Sequence, residues 1–259
     1  MKEKLKKQFT EYKIILKNIP TIYFALFVVS VILMNLLANK AINFELNWLA
    51  CDCGIIVSWI AFLTMDTITK HFGPKAATLT SIIASIINLG VAIILLIGSL
   101  IPGTWGESFV EGNESIINQA LNNTFGGTWY VLLGSTIAFI VSAVVNNFTN
   151  HGLRKIFKKN PDGFLAYAFR TYISTAIAQF LDNLCFALIV SHVFFGWTLL
   201  QCVVCSIIGM ILELIFEIIF SPIGYKISKK WKKDNVGKEY FDYLKEEGAN
   251  DEGIDNMDC

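Results

Sequence analysis

Ala168–Val190 reads AFRTYISTAIAQFLDNLCFALIV. The stretch is apolar and long enough to cross a bilayer, which takes a helix of roughly 20 residues. Yet it carries Arg170, Ser174, Thr175, Gln179, Asp182 and Asn183. A carboxylate near mid-bilayer costs from ~2.5 to more than ~10 kcal/mol unless it faces protein or a watery cavity. On a helix, Thr175, Gln179, Asp182 and Phe186 fall on one stripe. Such a seam predicts a helix that turns one face into a bundle and lines a binding site with it.

Around this stretch lie 259 residues, 54% hydrophobic with 20 Phe and only 16% charged, against ~25% in a soluble domain. The charges cluster and leave six apolar segments of transmembrane length, roughly Pro20–Leu37, Trp48–Met65, Ala76–Leu100, Trp129–Phe148, Ala166–Val190 and Trp197–Phe220. The expected fold class is an all-α membrane protein of six transmembrane helices. A basic segment at residues 1–19 precedes the membrane domain at 20–225, and a polar tail follows at 226–259. Its stretch from Lys232 onward is expected to be poorly ordered.

Net charge is zero, but the basic residues are not evenly spread. They occupy the N-terminal segment, the loop with Lys70 and Lys75, the loop from Arg154 to Lys159, and the tail from Lys226. Only Lys40 and Arg170 lie elsewhere, and the loop Gly98–Thr128 has three Glu and no basic residue. The positive-inside rule then puts both termini in the cytoplasm. The Lys-rich start followed by an apolar run resembles a signal peptide. Pro20–Leu37 is longer than the usual apolar core of one, and no small-x-small site follows, so it is read as a retained first helix.

Asn35 and Asn39 share a face at the end of the first segment, as interfacial caps or as a polar ceiling over a cavity. Asn146 and Asn150 repeat that spacing after the fourth segment. Asp66 and Lys70 are four apart and can pair, and Gly73-Pro74 ends that helix. Ser81, Ser85 and Asn88 share a face of the third segment, as helix-packing glue or as site. Ser115–Phe125 suggests a short surface helix, with glycosylation-type sequons at Asn113 and Asn122. Glu213 and Glu217 share a face of the sixth segment, and Pro222 marks its exit. Ser58 and Asp66 have the spacing of Ser174 and Asp182. Together with the Asn pairs, this suggests two three-helix halves, inverted relative to each other.

Cys202-x-x-Cys205 lies on an apolar helix and is read as packing rather than a metal or redox pair. Cys51-Asp52-Cys53 carries little weight. His71, His151 and His192 sit at helix ends, and there is no HExxH, GxSxG or phosphate-binding Gly loop. Carboxylates, amides and hydroxyls suit recognition, so neither an enzyme nor a cofactor or metal is expected.

Arg170-Thr-Tyr-Ile-Ser174-Thr175-Ala-Ile-Ala-Gln179-Phe-Leu-Asp182-Asn183-Leu-Cys-Phe186 resembles the pattern of the queuosine precursor transporter family, also called the vitamin uptake transporter family. Glu217…Pro222…Tyr225-Lys226, Asn35…Lys40 and Asp66…Gly73…Ala76 fit it too. Departures fall at Lys70, where the family usually has Glu, and at Ala143 and Asn146, where it tends to show Gln and Asp.

The resemblance implies six helices in two inverted repeats in a bacterial cytoplasmic (inner) membrane. It implies uptake of a 7-deazaguanine, such as 7-cyano- or 7-aminomethyl-7-deazaguanine or queuine, for tRNA modification salvage. Asp182 or Glu213 would accept the paired N1–H and 2-amino donors of the ring, with Gln179 and Asn183 on its carbonyl and ring nitrogen. Phe186 or Tyr172, with Phe139 weaker, would stack on its face. Ser174, Thr175, Asn88, Asn35 and Asn146 complete the binding set. Arg170, Asp66, Lys70 and Glu217 form a gating or ion-pair set, Arg170 alternatively snorkelling to headgroups. The expected partners are a small purine-like substrate and the lipid bilayer, with no nucleic acid and a homodimer left open. The alternative is a substrate-binding membrane subunit of an ATP-driven vitamin-type importer.

Overall fold

The computed structural model describes residues 2–42, 44–106, 114–154 and 164–246. Helix α1 (Lys2–Asn18) meets α2 (Thr21–Leu37) through Ile19-Pro20, with the two axes 98° apart. Pro20 disfavours helical geometry at the residue before it, and its carbonyl starts the next helix by accepting the Tyr23 and Phe24 amides. A two-residue antiparallel ladder follows, β1 (Ala41–Ile42) with β2 (Cys51–Asp52).

Helix α3 (Ile55–Phe72) therefore starts seven residues later than the segment expected from Trp48. The reason is local. Asp52 Oδ1 accepts the Gly54 amide at 2.8 Å. A side chain at Gly54 would also stand 2.8 Å from the Met34 carbonyl oxygen, so only glycine passes here. Gly73, at φ +86°, stops α3, and Pro74 opens α4 (Pro74–Leu100), the first helical position being where proline costs least.

The expected surface helix at Ser115–Phe125 is corrected. It is the start of the 41-residue α5 (Glu114–Arg154). Asn118 and Asn122 accept the backbone and indole N–H of Trp105, both at 2.8 Å, so Asn122 is engaged inside the fold. Asn113 lies outside the described residues. Helix α6 (Phe164–Phe186) runs into a π-helical turn, Ala187–Ser191, and a last short turn α7 (His192–Phe194). Helix α8 (Leu199–Lys233) continues past Pro222, which the sequence marked as an exit. Helix α9 (Lys238–Glu246) replaces part of the expected poorly ordered tail.

Each of the six apolar segments contains a helix. The helical stretches Pro74–Leu100, Ser115–Ser142, Tyr172–Phe194 and Leu199–Lys233 are long and apolar enough to cross a membrane, and the bent α1–α2 pair adds a fifth. Helix α2 has 17 residues and α3 has 18, or about 25–27 Å at 1.5 Å per residue against a core of about 30 Å. Length and composition alone thus support four or five crossings. Ile82, Ile86, Ile93, Ile94 and Ile97 of α4 lie exposed, a surface that lipid covers at no hydrophobic cost.

The chain divides into two compact units, one of residues 1–32, 57–88 and 216–259, the other of 33–56 and 89–215. The core of the first gathers Ile15, Ile19, Ile68, Phe72, Ala76, Leu79, Trp231 and Tyr240, from α1, α3, α4, α8 and α9. Tyr240 is why α9 is ordered, since its ring is buried beside Phe72. The second has two apolar clusters, Ala50, Ala187, Trp197 and Cys202, and Ala38, Val131 and Val190.

Candidate functional site

The second unit pairs α5 with α6, and their polar contact is at Asp182. Ser142 on α5 donates its hydroxyl to Asp182 Oδ1 at 3.0 Å. Asn183 is turned about 100° further round α6 and faces α8 instead. Its amide donates to the Gln179 carbonyl at 3.0 Å and lies against the Glu213 carboxyl. A Cβ at Gly209 would stand 2.9 Å from Asn183 Nδ2, so the missing side chain is what gives Asn183 its place. Gly209 and Glu213 are four apart and share that face of α8.

Glu213 lies near enough to Asp182 and Asp52 to feel both charges. The sequence reading missed Asp52 as a site residue. The β1–β2 ladder and the turn to Gly54 bring it in from the loop, and burial pushes its carboxyl above the usual range. The available signal was an acid two residues before a glycine, a turn pattern. Three carboxyls from three elements thus converge near two amides. Gln179 Oε1 is buried without a hydrogen-bond partner among the described residues. Among those residues no group of His, Cys, Asp or Glu is arranged to hold a metal ion. Mutually repelling acids in a low dielectric favour either a bound proton or a ligand that brings N–H donors.

Other expected residues fall elsewhere. Ser174 is buried and Thr175 half-buried. Phe186 packs on the Ala38, Val131 and Val190 cluster, while Tyr172 and Phe139 are about half exposed, at 48% and 51%. Asn35 is buried, and Asn39 caps α2 by donating to the Leu36 carbonyl at 3.2 Å. Asn88 is buried in the first unit, its Nδ2 without a partner among the described residues. The side chains of Arg170, Ala143, Asn146 and Asn150 lie outside the described residues. The π turn begins one residue after Phe186, and Tyr130 donates its hydroxyl to the Ile189 carbonyl at 2.8 Å there. Such turns recur at functional sites.

The first unit holds a separate polar group. The expected pair forms, Lys70 Nζ to Asp66 Oδ2 at 2.7 Å, and Lys70 also donates to the Ser221 carbonyl at 3.0 Å and to its hydroxyl oxygen. A side chain at Gly224 would stand 2.8 Å from Asp66 Oδ2. Glu217 is half-buried near this pair, its Oε2 without a hydrogen-bond partner among the described residues.

A family model described as "Putative vitamin uptake transporter" matches residues 52–227 of the 259. The chain belongs to the vitamin uptake transporter family. The matched span takes in Asp52, Ser142, Gln179, Asp182, Asn183, Gly209 and Glu213. As a vitamin uptake transporter it is a multi-pass membrane protein of a transport family, as the apolar segments and the family resemblance led one to expect. No curated protein and no solved structure matches the chain.

Proposed function

We propose that this vitamin uptake transporter carries a queuosine precursor or salvage form, a 7-deazaguanine, inward across a bacterial cytoplasmic membrane. The observation that carries the reading is the convergence of Asp182 and Glu213 with Asn183, whose amide fills the space left by Gly209. A deazaguanine presents N1–H and a 2-amino group side by side. One carboxylate accepts both, with discrimination of ~1–3 kcal/mol, as in base readout. Gln179, with its unused buried oxygen, and Asn183 complement the remaining ring edge. In this reading α2, α3 and α4 form one half and α5, α6 and α8 its inverted counterpart. The six helices cross the membrane and rock about the α6 site.

The test is uptake of labelled 7-cyano-7-deazaguanine, 7-aminomethyl-7-deazaguanine and queuine by proteoliposomes holding this chain alone. Asp182→Asn is expected to abolish uptake while the protein still inserts. Wild-type uptake by that variant removes Asp182 from the site. Ligand binding without uptake until an ATPase is supplied would instead favour the importer-subunit reading.

A further inference from the structure

Helix α1 has two different faces. Ile15 and Ile19 are fully or nearly buried in the core of the first unit, and Glu11 pairs with Lys75 of α4. The other side has no such cover. Phe9 is 73% exposed and Leu16 36%, while Lys6 and Lys13 are exposed beside them. Phe9 and Leu16 are seven apart, as are Lys6 and Lys13, so each pair lies within about 20° of one line along the helix. An apolar line thus runs beside a basic one. The whole helix has six lysines against two glutamates. Its axis lies 98° from that of the apolar α2, which follows two residues later.

A helix at a right angle to a membrane-entering helix runs along the bilayer surface. Apolar and basic lines side by side are what an interfacial helix needs, the first in the acyl boundary and the second among headgroups. A groove of about 240 Å³ lies between α1 and α4. It is lined by Tyr12, Lys75, Thr78, Leu79 and Ile82. Lys75 Nζ stands 5.9 Å from the centre of the Tyr12 ring. At the same groove, Ile82 of the apolar α4 is 50% exposed.

We propose that α1 is an interfacial helix that binds anionic lipid on the basic side of the membrane, with Phe9 and Leu16 embedded and Lys6 and Lys13 against lipid phosphates. The test is amide exchange of the full chain in nanodiscs of phosphatidylcholine alone and with added phosphatidylglycerol. Exchange over residues 6–18 is expected to slow about tenfold with the anionic lipid. Lys6→Glu with Lys13→Glu is expected to remove that difference without changing the melting temperature, since both side chains are exposed. Phe9→Ser is expected to speed exchange in both lipids. Equal exchange in the two discs, or slowing that survives the charge reversal, overturns the proposal. Slowing that depends on protein concentration assigns the face to a second copy of the chain and overturns it equally.

Discussion

Asn183 owes its position to a residue with no side chain. At Gly209 an added methyl would stand 2.9 Å from the Asn183 amide nitrogen and 3.2 Å from its oxygen. Those atoms are the movable end of a flexible side chain, so Gly209→Ala is expected to fold and to push the amide off Glu213. Substrate affinity in the uptake assay should fall about tenfold, or 1.4 kcal/mol. Ser142→Ala removes the hydroxyl bonded to Asp182 Oδ1. A hydrogen bond to a charged group is worth about 1.5–3 kcal/mol, so binding measured by calorimetry should weaken by at least about tenfold. Asp182 stood out in the sequence because a carboxylate inside an apolar run is costly unless it faces protein or water. Glu213 was legible for the same reason. Asp52 was not, because the turn pattern before Gly54 gives no hint of its pairing with Ala41, eleven residues away. Gly209 was invisible too, since a glycine in a membrane helix means nothing until its neighbour is known.

Among the elements, α9 was the least readable. Nine residues with an acidic and basic rim look like tail. What orders them is a glycine and an aromatic cluster. Gly237 has φ +79° and sits against the Phe72 ring, leaving no room for a Cβ. Tyr240 is buried beside Phe72 and Phe241, and Lys17 pairs with Glu239 at 2.8 Å. Tyr240→Ala is expected to cost on the order of 3 kcal/mol, read as faster amide exchange throughout α9. His71 adds a pH dependence. Its Nε2–H donates to the Val236 carbonyl at 2.9 Å, and aromatic rings of Phe72, Trp231 and Phe241 surround it. Burial, and to a lesser degree Lys232, hold its pKa below the usual value, against the opposing pull of the carbonyl bonds. A depressed folded-state pKa means docking is at full strength above the ordinary histidine value near 6.5 and is lost as pH falls below it. Exchange of α9, corrected for intrinsic rates, should therefore be faster at pH 5.5 than at pH 7.5, and His71→Phe should flatten the difference.

For the whole molecule, hydropathy and charge placed every apolar helix but misjudged where three of them end. The apolar run that set Trp48 as a helix start hid the turn at Asp52–Gly54, because cysteine and tryptophan read as membrane residues whichever structure they adopt. Pro222 misled in the opposite direction, because packing outweighs its propensity. Gly224 lets Asp66 come close, and Lys70 holds the Ser221 carbonyl. If α3 crosses with its Asp66–Lys70 pair satisfied inside protein, the spans number six and both ends of the chain lie on one side. Reporters fused at each end should then both be active in the cytoplasm, whereas opposite sides would leave five spans. The route of α8 through Pro222 has a mechanical corollary. Proline brings no amide hydrogen, so the Ile218 carbonyl one turn earlier loses its usual donor four residues on. The helix can flex at that joint without rupturing a backbone bond, a compliant point between Glu213 and the lysine-rich end from which the tail departs.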